Sequence, residues 1–134
     1  MNQGRTVKAA GLLNLHSVLG NVPVMAFSLK LEDLSGESFV GFAGKDGFDP
    51  KAPNKGYYIG LRNGFLCNVA GYYTKPYCTR GRIQEGDILT ARRSEYIRFE
   101  RNGEDLGVAF TIDPSLCLYP AVSIRNVGSM TILA

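Results

Sequence analysis

This sequence predicts an all-β domain made of two antiparallel sheets packed face to face. Short runs of alternating apolar and polar residues are separated by turn-forming residues at intervals of roughly 8–12 positions, the spacing of a sandwich. No segment keeps the helical period of about 3.6 residues. Asn63-Gly64 and Asn102-Gly103 each sit between such runs, and an Asn-Gly pair tolerates the positive φ that a tight hairpin turn demands. Eight to eleven short strands are expected in all.

Residues 1–23 give the weakest pattern. Val7 and Leu12-Leu13-Asn14-Leu15 suit short strands, but Gly4, Gly11 and Gly20 interrupt them, so the stretch reads as an irregular lead-in and edge strand before a core spanning 24–134. Residues 24–31 alternate cleanly, with Met25, Phe27, Leu29 and Leu31 on one face and Ser28 and Lys30 on the other. After a connection of hairpin length, residues 38–44 form a second strand, expected to pair with the first. Residues 45–56, dense in Gly, Pro, Asp and Asn, make a long surface loop. Residues 57–61 and 65–69 flank Asn63-Gly64 as a hairpin, 71–77 are extended or irregular, and 80–85 lead into Gly86-Asp87. In the second Asn-Gly hairpin, setting Arg101 opposite Glu104 places Phe99 opposite Leu106, Ile97 opposite Val108 and Glu95 opposite Phe110. Ile97, Phe99, Leu106 and Val108 then face the core, and Tyr96, Arg98 and Glu100 face outward opposite Ala109, Gly107 and Asp105. Residues 117–124 and 129–133 are the last strands, joined by a short loop at 125–128.

At 134 residues, 45% hydrophobic and 20% charged, the chain suits one domain able to bury about two-thirds of its unfolded surface. A net charge of +3 with a pI near 8.8 is too mild to single out nucleic acid as a partner. Cys67, Cys78 and Cys117 are an odd set without CxxC spacing, which reads as reduced thiols in or near a core. The N-terminus lacks a signal-type apolar stretch, no apolar run approaches a bilayer span and no Asn-x-Ser/Thr sequon occurs. An intracellular setting is expected, cytoplasmic ahead of nuclear, with no membrane partner.

No catalytic constellation stands out. His16 is the one histidine, in the least patterned segment, and reads as a surface or strand-edge residue. Asp46-Gly47-Phe48-Asp49 lacks the spaced ligands of a calcium loop, no phosphate-binding glycine motif is present, and Glu100 beside Asp105 reads as a solvated pair balanced by Arg98 or Arg101. Neither enzyme activity, metal nor cofactor is expected. Lys75, Arg80, Arg82, Arg92, Arg93, Arg98 and Arg101 interleave with Tyr72, Tyr73, Tyr77 and Tyr96, a pattern that suits RNA or polyanion binding, but Glu85, Asp87, Glu95 and Glu100 in the same window favour a mixed solvated face. Loops on a rigid sandwich remain: 45–56, 71–77 and 125–128, with Phe48 either folded back as a plug, the preferred reading, or exposed as an anchor.

Gly86-Asp87-Ile88-Leu89, then Ile97-x-Phe99-x-x-Asn102-Gly103-x-x-Leu106-Gly107-x-Ala109-Phe110, then Leu118-Tyr119-Pro120-Ala121-Val122-Ser123 resembles, in order and spacing, the C-terminal signature of the SPRY domain, the core of the B30.2 module. Ala26 to Leu31, Phe39-Val40-Gly41-Phe42-Ala43 and Gly56-Tyr57-Tyr58-Ile59-Gly60 resemble earlier strands of that family more loosely, and the chain has no Trp where the family commonly places one. The resemblance, spanning about residues 24–133, implies a bent two-sheet antiparallel sandwich of the concanavalin-like jelly-roll type. It also implies a non-catalytic module, monomeric as an isolated domain and cut from a longer chain, that binds a peptide or loop of another protein. Carried over by position, the partner surface comprises the loops at 44–54, 125–128 and 19–22, with Lys45, Phe48, Asp49, Asn54, Arg125, Asn126 and Val127 as contact residues. RNA or polyanion binding and a lectin-like carbohydrate site built on Asp46, Phe48 and Asp49 are the alternatives.

Overall fold

The computed structural model describes residues 5–9 and 15–133. They form twelve strands and no helix: β1 (Arg5–Ala9), β2 (Leu15–Leu19), β3 (Ala26–Asp33), β4 (Glu37–Ala43), β5 (Lys55–Gly60), β6 (Phe65–Val69), β7 (Tyr72–Pro76), β8 (Ile88–Arg93), β9 (Tyr96–Arg101), β10 (Glu104–Thr111), β11 (Tyr119–Arg125) and β12 (Gly128–Leu133). The first sheet has the order β1-β12-β3-β8-β9-β10 and the second β2-β11-β4-β5-β6-β7, with every pairing antiparallel. The count exceeds the expected eight to eleven because the N-terminal stretch supplies two strands, one at the edge of each sheet. Leu12, Leu13 and Asn14 lie outside the described residues, as does the side chain of His16.

The expected hairpin between 24–31 and 38–44 does not form. β3 pairs with β12 and β8, while β4 pairs with β11 and β5 in the opposite sheet. Leu29 and Leu31 of β3 and Val40 and Phe42 of β4 are all fully buried in one core cluster. Paired strands would line the same side of one sheet with these residues; placing them on facing sheets lets each cover the other. Phe27 meets Phe42 edge to face across the layers, their centroids 5.3 Å apart. Met25, expected on the buried face, precedes β3 and is 62% exposed. The hairpin around Asn63-Gly64 forms between β5 and β6, and the segment left as extended or irregular is the edge strand β7.

The β9-β10 hairpin starts in the expected register, Arg101 opposite Glu104 and Glu100 opposite Asp105, then slips twice, so that Val108 faces Arg98 and Phe110 faces Ile97. Gly107 causes the slip: its φ of 107° is open to glycine, and its N–H bonds the Asp105 carboxylate at 2.8 Å instead of the neighbouring strand. The Tyr77 hydroxyl donates to the Gly107 carbonyl, fixing the bulge from below. Val108, expected in the core, is therefore 45% exposed, and Ala109, expected outside, is buried.

A second apolar cluster, Phe39, Ala43, Tyr58, Cys67, Ala70 and Ala121, lies on the far face of the second sheet. That sheet is thus buried on both sides along β4, whose residues from Ser38 to Ala43 are all inaccessible. Gly41 permits the close packing there, since a Cβ at this position would sit 1.7 Å from the Tyr57 carbonyl oxygen.

Candidate functional site

The register of β4 with β11 decides which loops meet. Ala43 pairs with Tyr119 at one end and Glu37 with Arg125 at the other, six residue steps away, on the order of 20 Å along the strand. Lys45, Phe48, Asp49 and Asn54 follow the Ala43 end, whereas Arg125, Asn126 and Val127 follow the Glu37 end. The loop at 19–22 belongs with the former, because Leu19 pairs with Ala121 and the Gly20 N–H bonds the Pro120 carbonyl at 2.7 Å. The expected surface of three converging loops is therefore split between opposite ends of the sandwich. Strand directions cause the split, since β4 and β11 are antiparallel neighbours whose exits point apart.

The 44–54 loop spends much of its polar chemistry on itself. Asn54 is 5% exposed; its side-chain Oδ1 accepts the Asp49 N–H at 2.8 Å and its side-chain Nδ2 donates to the backbone carbonyls of Asp49 and Ala52, both at 2.9 Å. It shapes the loop and is not presented to a partner, contrary to expectation. The Asp49 carboxylate takes the Lys51 N–H, and the Ser17 N–H bonds the Pro50 carbonyl, tying the loop to β2. Phe48 is half-buried and belongs to neither apolar cluster, and Lys45 is exposed.

At the other end lies a cleft of about 420 Å³. Its walls are the β3-β4 connection (Ser35, Gly36), the β5-β6 turn (Arg62, Asn63), Arg80 from the β7-β8 connection and the β11-β12 connection (Asn126, Val127), with Glu37 and Tyr73 completing the lining. The Gly36 N–H bonds the Val127 carbonyl at 2.9 Å, clamping two of these walls together, and Asn126 holds the turn at a φ of 72°. Asn63 caps its own turn by accepting the Phe65 N–H at 3.0 Å. Glu37 is engaged from two sides: the Tyr73 hydroxyl donates to it at 2.6 Å and the Arg125 guanidinium stands 3.7 Å away. Burial, then the adjacent Glu37 carboxylate, holds the Tyr73 phenol well above its ordinary range, so it stays a donor at neutral pH. Arg62 and Arg80 are exposed and make no ion pair among the described residues.

Sequence reasoning found Asn126 and Val127 of this cleft, and Arg125 behind its Glu37, and missed Ser35, Gly36, Glu37, Arg62 and Asn63. Tyr73 falls in the 71–77 segment expected as a recognition loop, and Arg80 belongs only to the basic and aromatic window. The signal that would have gathered them is strand pairing order, which local patterning does not carry.

The Arg/Tyr face looks different once its partners are placed. Arg92 pairs with Glu100 at 2.5 Å, Arg98 with Asp105 at 3.1 Å, Arg82 with Glu104 at 2.5 Å and Arg101 with Asp87 at 2.7 Å. Arg93 is 7% exposed and donates to the Leu116 and Pro114 carbonyls, where it anchors a loop. Glu100 and Asp105 are balanced by Arg92 and Arg98, and Arg101 is committed elsewhere. No group of three or more metal-ligating side chains gathers among the described residues.

No protein-family model matches the chain, and no curated protein does. Solved structures do. A human SPRY domain aligns over 99% of this chain and 93% of its own length with a TM-score of 0.78 at 16% identity. The SPRY domain of human HERC1 aligns over 98% and 87%, with a TM-score of 0.69 at 20% identity. The carbohydrate binding module CBM66 from Bacillus subtilis aligns over 100% and 97%, with a TM-score of 0.54 at 10% identity. Over nearly its whole length, this chain has the fold of a SPRY domain.

Proposed function

We propose that the domain is a non-catalytic protein-interaction module, working inside the cell as an adaptor or scaffold, and that it receives a peptide segment or loop of its partner in the cleft beside Glu37. The observation that carries this reading is the cleft itself: a concave surface of peptide side-chain dimensions, built by connections between packed strands and lined by two arginines, Arg62 and Arg80, that make no ion pair among the described residues. The other end of the sandwich is the weaker candidate because Asn54 and Asp49 are occupied internally. The paired arginines of the first sheet argue against a polyanion footprint there, since each would have to give up a carboxylate before taking a phosphate.

The test is selection of binding peptides on the intact domain, followed by mapping. Asn126→Ala with Val127→Asp should abolish binding, and Lys45→Ala with Phe48→Ala should leave it unchanged. The reverse pattern would move the site to the 44–54 loop and overturn the assignment.

A further inference from the structure

We infer that the cleft selects its partner by an acidic side chain, an Asp or Glu of the bound segment, for which Arg62 and Arg80 are the counter-ions. The inference rests on the reading of the cleft as a peptide site.

Its basis is how the molecule treats its arginines. Arg82, Arg92, Arg98, Arg101 and Arg125 each stand within ion-pair distance of a carboxylate, and the buried Arg93 is bonded to two carbonyls. Among the described arginine side chains, Arg62 and Arg80 make neither kind of contact, and both line the same cleft. They come from different connections, so their meeting is a product of the fold rather than of one basic run.

The carboxylates nearby do not neutralise them. Glu37 is committed to Tyr73 and Arg125. Glu85, which shares an adjoining depression with Arg62, accepts the Leu34 N–H at 2.9 Å and makes no ion pair. Two guanidinium charges, Arg62 and Arg80, line the cleft against the one carboxylate of Glu37, which already faces the Arg125 guanidinium. Guanidinium groups bind carboxylates through paired, planar N–H donors, and a concave site with partly desolvated walls strengthens such a bond relative to an open surface. Glu37 adds the selectivity: a basic side chain finds the one lining carboxylate already engaged, whereas an acidic one finds two guanidiniums without an ion-pair partner. A single cleft of about 420 Å³ suits one or two side chains, not an extended phosphate track.

A phage-displayed library of random linear peptides, selected on the intact domain, tests this. The expected result is enrichment of Asp or Glu at one fixed position. Changing that residue to Asn or Gln in a synthetic peptide, or making Arg62→Gln or Arg80→Gln in the protein, should each weaken binding at least about tenfold. Combined, the losses should be less than multiplicative, the mark of a direct pair. Arg62→Lys should retain part of the affinity, and unchanged thermal unfolding of each variant would separate lost contact from lost fold. Peptides that bind the cleft, as judged by loss with Asn126→Ala and Val127→Asp, but show no acidic preference would overturn this inference and leave the interaction reading standing. Selected peptides that map to the 44–54 loop, or no selected peptides at all, would overturn both. Tighter binding of a single-stranded oligonucleotide than of any acidic peptide would replace the carboxylate with a phosphate and overturn the choice of partner.

Discussion

The hydroxyl of Tyr73 donates to the carboxylate of Glu37 across 2.6 Å, joining the edge strand β7 to β4, three strands away in the same sheet. Tyr73 also packs against Phe39 and Phe65, so the bond ties the cleft wall to the second apolar cluster. Tyr73→Phe keeps the ring and removes the bond, and should cost up to about 1 kcal/mol in urea unfolding. Because the folded pKa is raised, this contribution is complete below the unfolded phenol value of about 10 and is lost as pH rises above it. The gap between wild type and Tyr73→Phe should therefore be larger at about pH 8 than at about pH 11.

Asp87 should govern acid sensitivity. Burial pushes its pKa up, but the Arg101 guanidinium at 2.7 Å, the Gln84 N–H at 2.8 Å and the Asn102 amide at 3.1 Å outweigh that and bring it below the ordinary value. A depressed carboxylate stabilises the fold above the unfolded value of about 4, and the benefit fades as pH falls through the folded one. Asp87→Asn should cost about 2 kcal/mol at neutral pH and flatten the loss of stability on acidification, measured by denaturant midpoints across the acid range.

The three thiols should react in order of exposure. Cys117 is exposed, Cys78 half-buried and Cys67 buried, and burial pushes the Cys67 thiol up to about 11, with the Gly71 N–H opposing. Iodoacetamide at neutral pH should label Cys117 first and Cys67 only on unfolding. Early labelling of Cys67 would mean that the far face of the second sheet is open in solution.

Two neighbouring substitutions test the hairpin register. Val108→Thr should change stability by no more than about 0.5 kcal/mol, because that side chain points outward beyond the bulge. Ala109→Leu should cost about 1–3 kcal/mol by overpacking the core. The opposite ranking would restore the unbulged register and refute the one described.

Two glycines separate steric from conformational need. Gly41→Ala places a methyl 1.7 Å from a backbone oxygen and should prevent the native packing of β4 on β5. Gly107→Ala meets open space and pays only for its backbone angle, about 1–3 kcal/mol. Circular dichroism melts of the two variants distinguish these costs.

What was legible in the sequence was local. Alternation in 26–31 and 96–101, the Asn-Gly turns and the Gly/Pro/Asp loop each depend on near neighbours, and each found its place in the structure. What failed depended on distant partners. The β3-β4 connection has hairpin length, but the alternative partners that won, β12 and β11, lie some ninety residues on. The slip at Gly107 had a local mark, a lone glycine inside a strand pattern, and its meaning was missed. Arg125 to Val127 were found because they are contiguous; Arg62 and Arg80 were not grouped with them, because only the strand order brings those turns to one end.

The β3-β4, β7-β8 and β11-β12 connections all pass from one sheet to the other beside the cleft, and the Gly36–Val127 bond fastens two of them together. The cleft thus sits on the spine of the folded layers, where their separation would begin or be resisted. An occupant there touches both halves at once, so its binding energy opposes their parting. Amide exchange should slow across strands of both sheets on binding, including positions far from any contact, which turns occupancy of a small surface feature into resistance of the whole domain to opening.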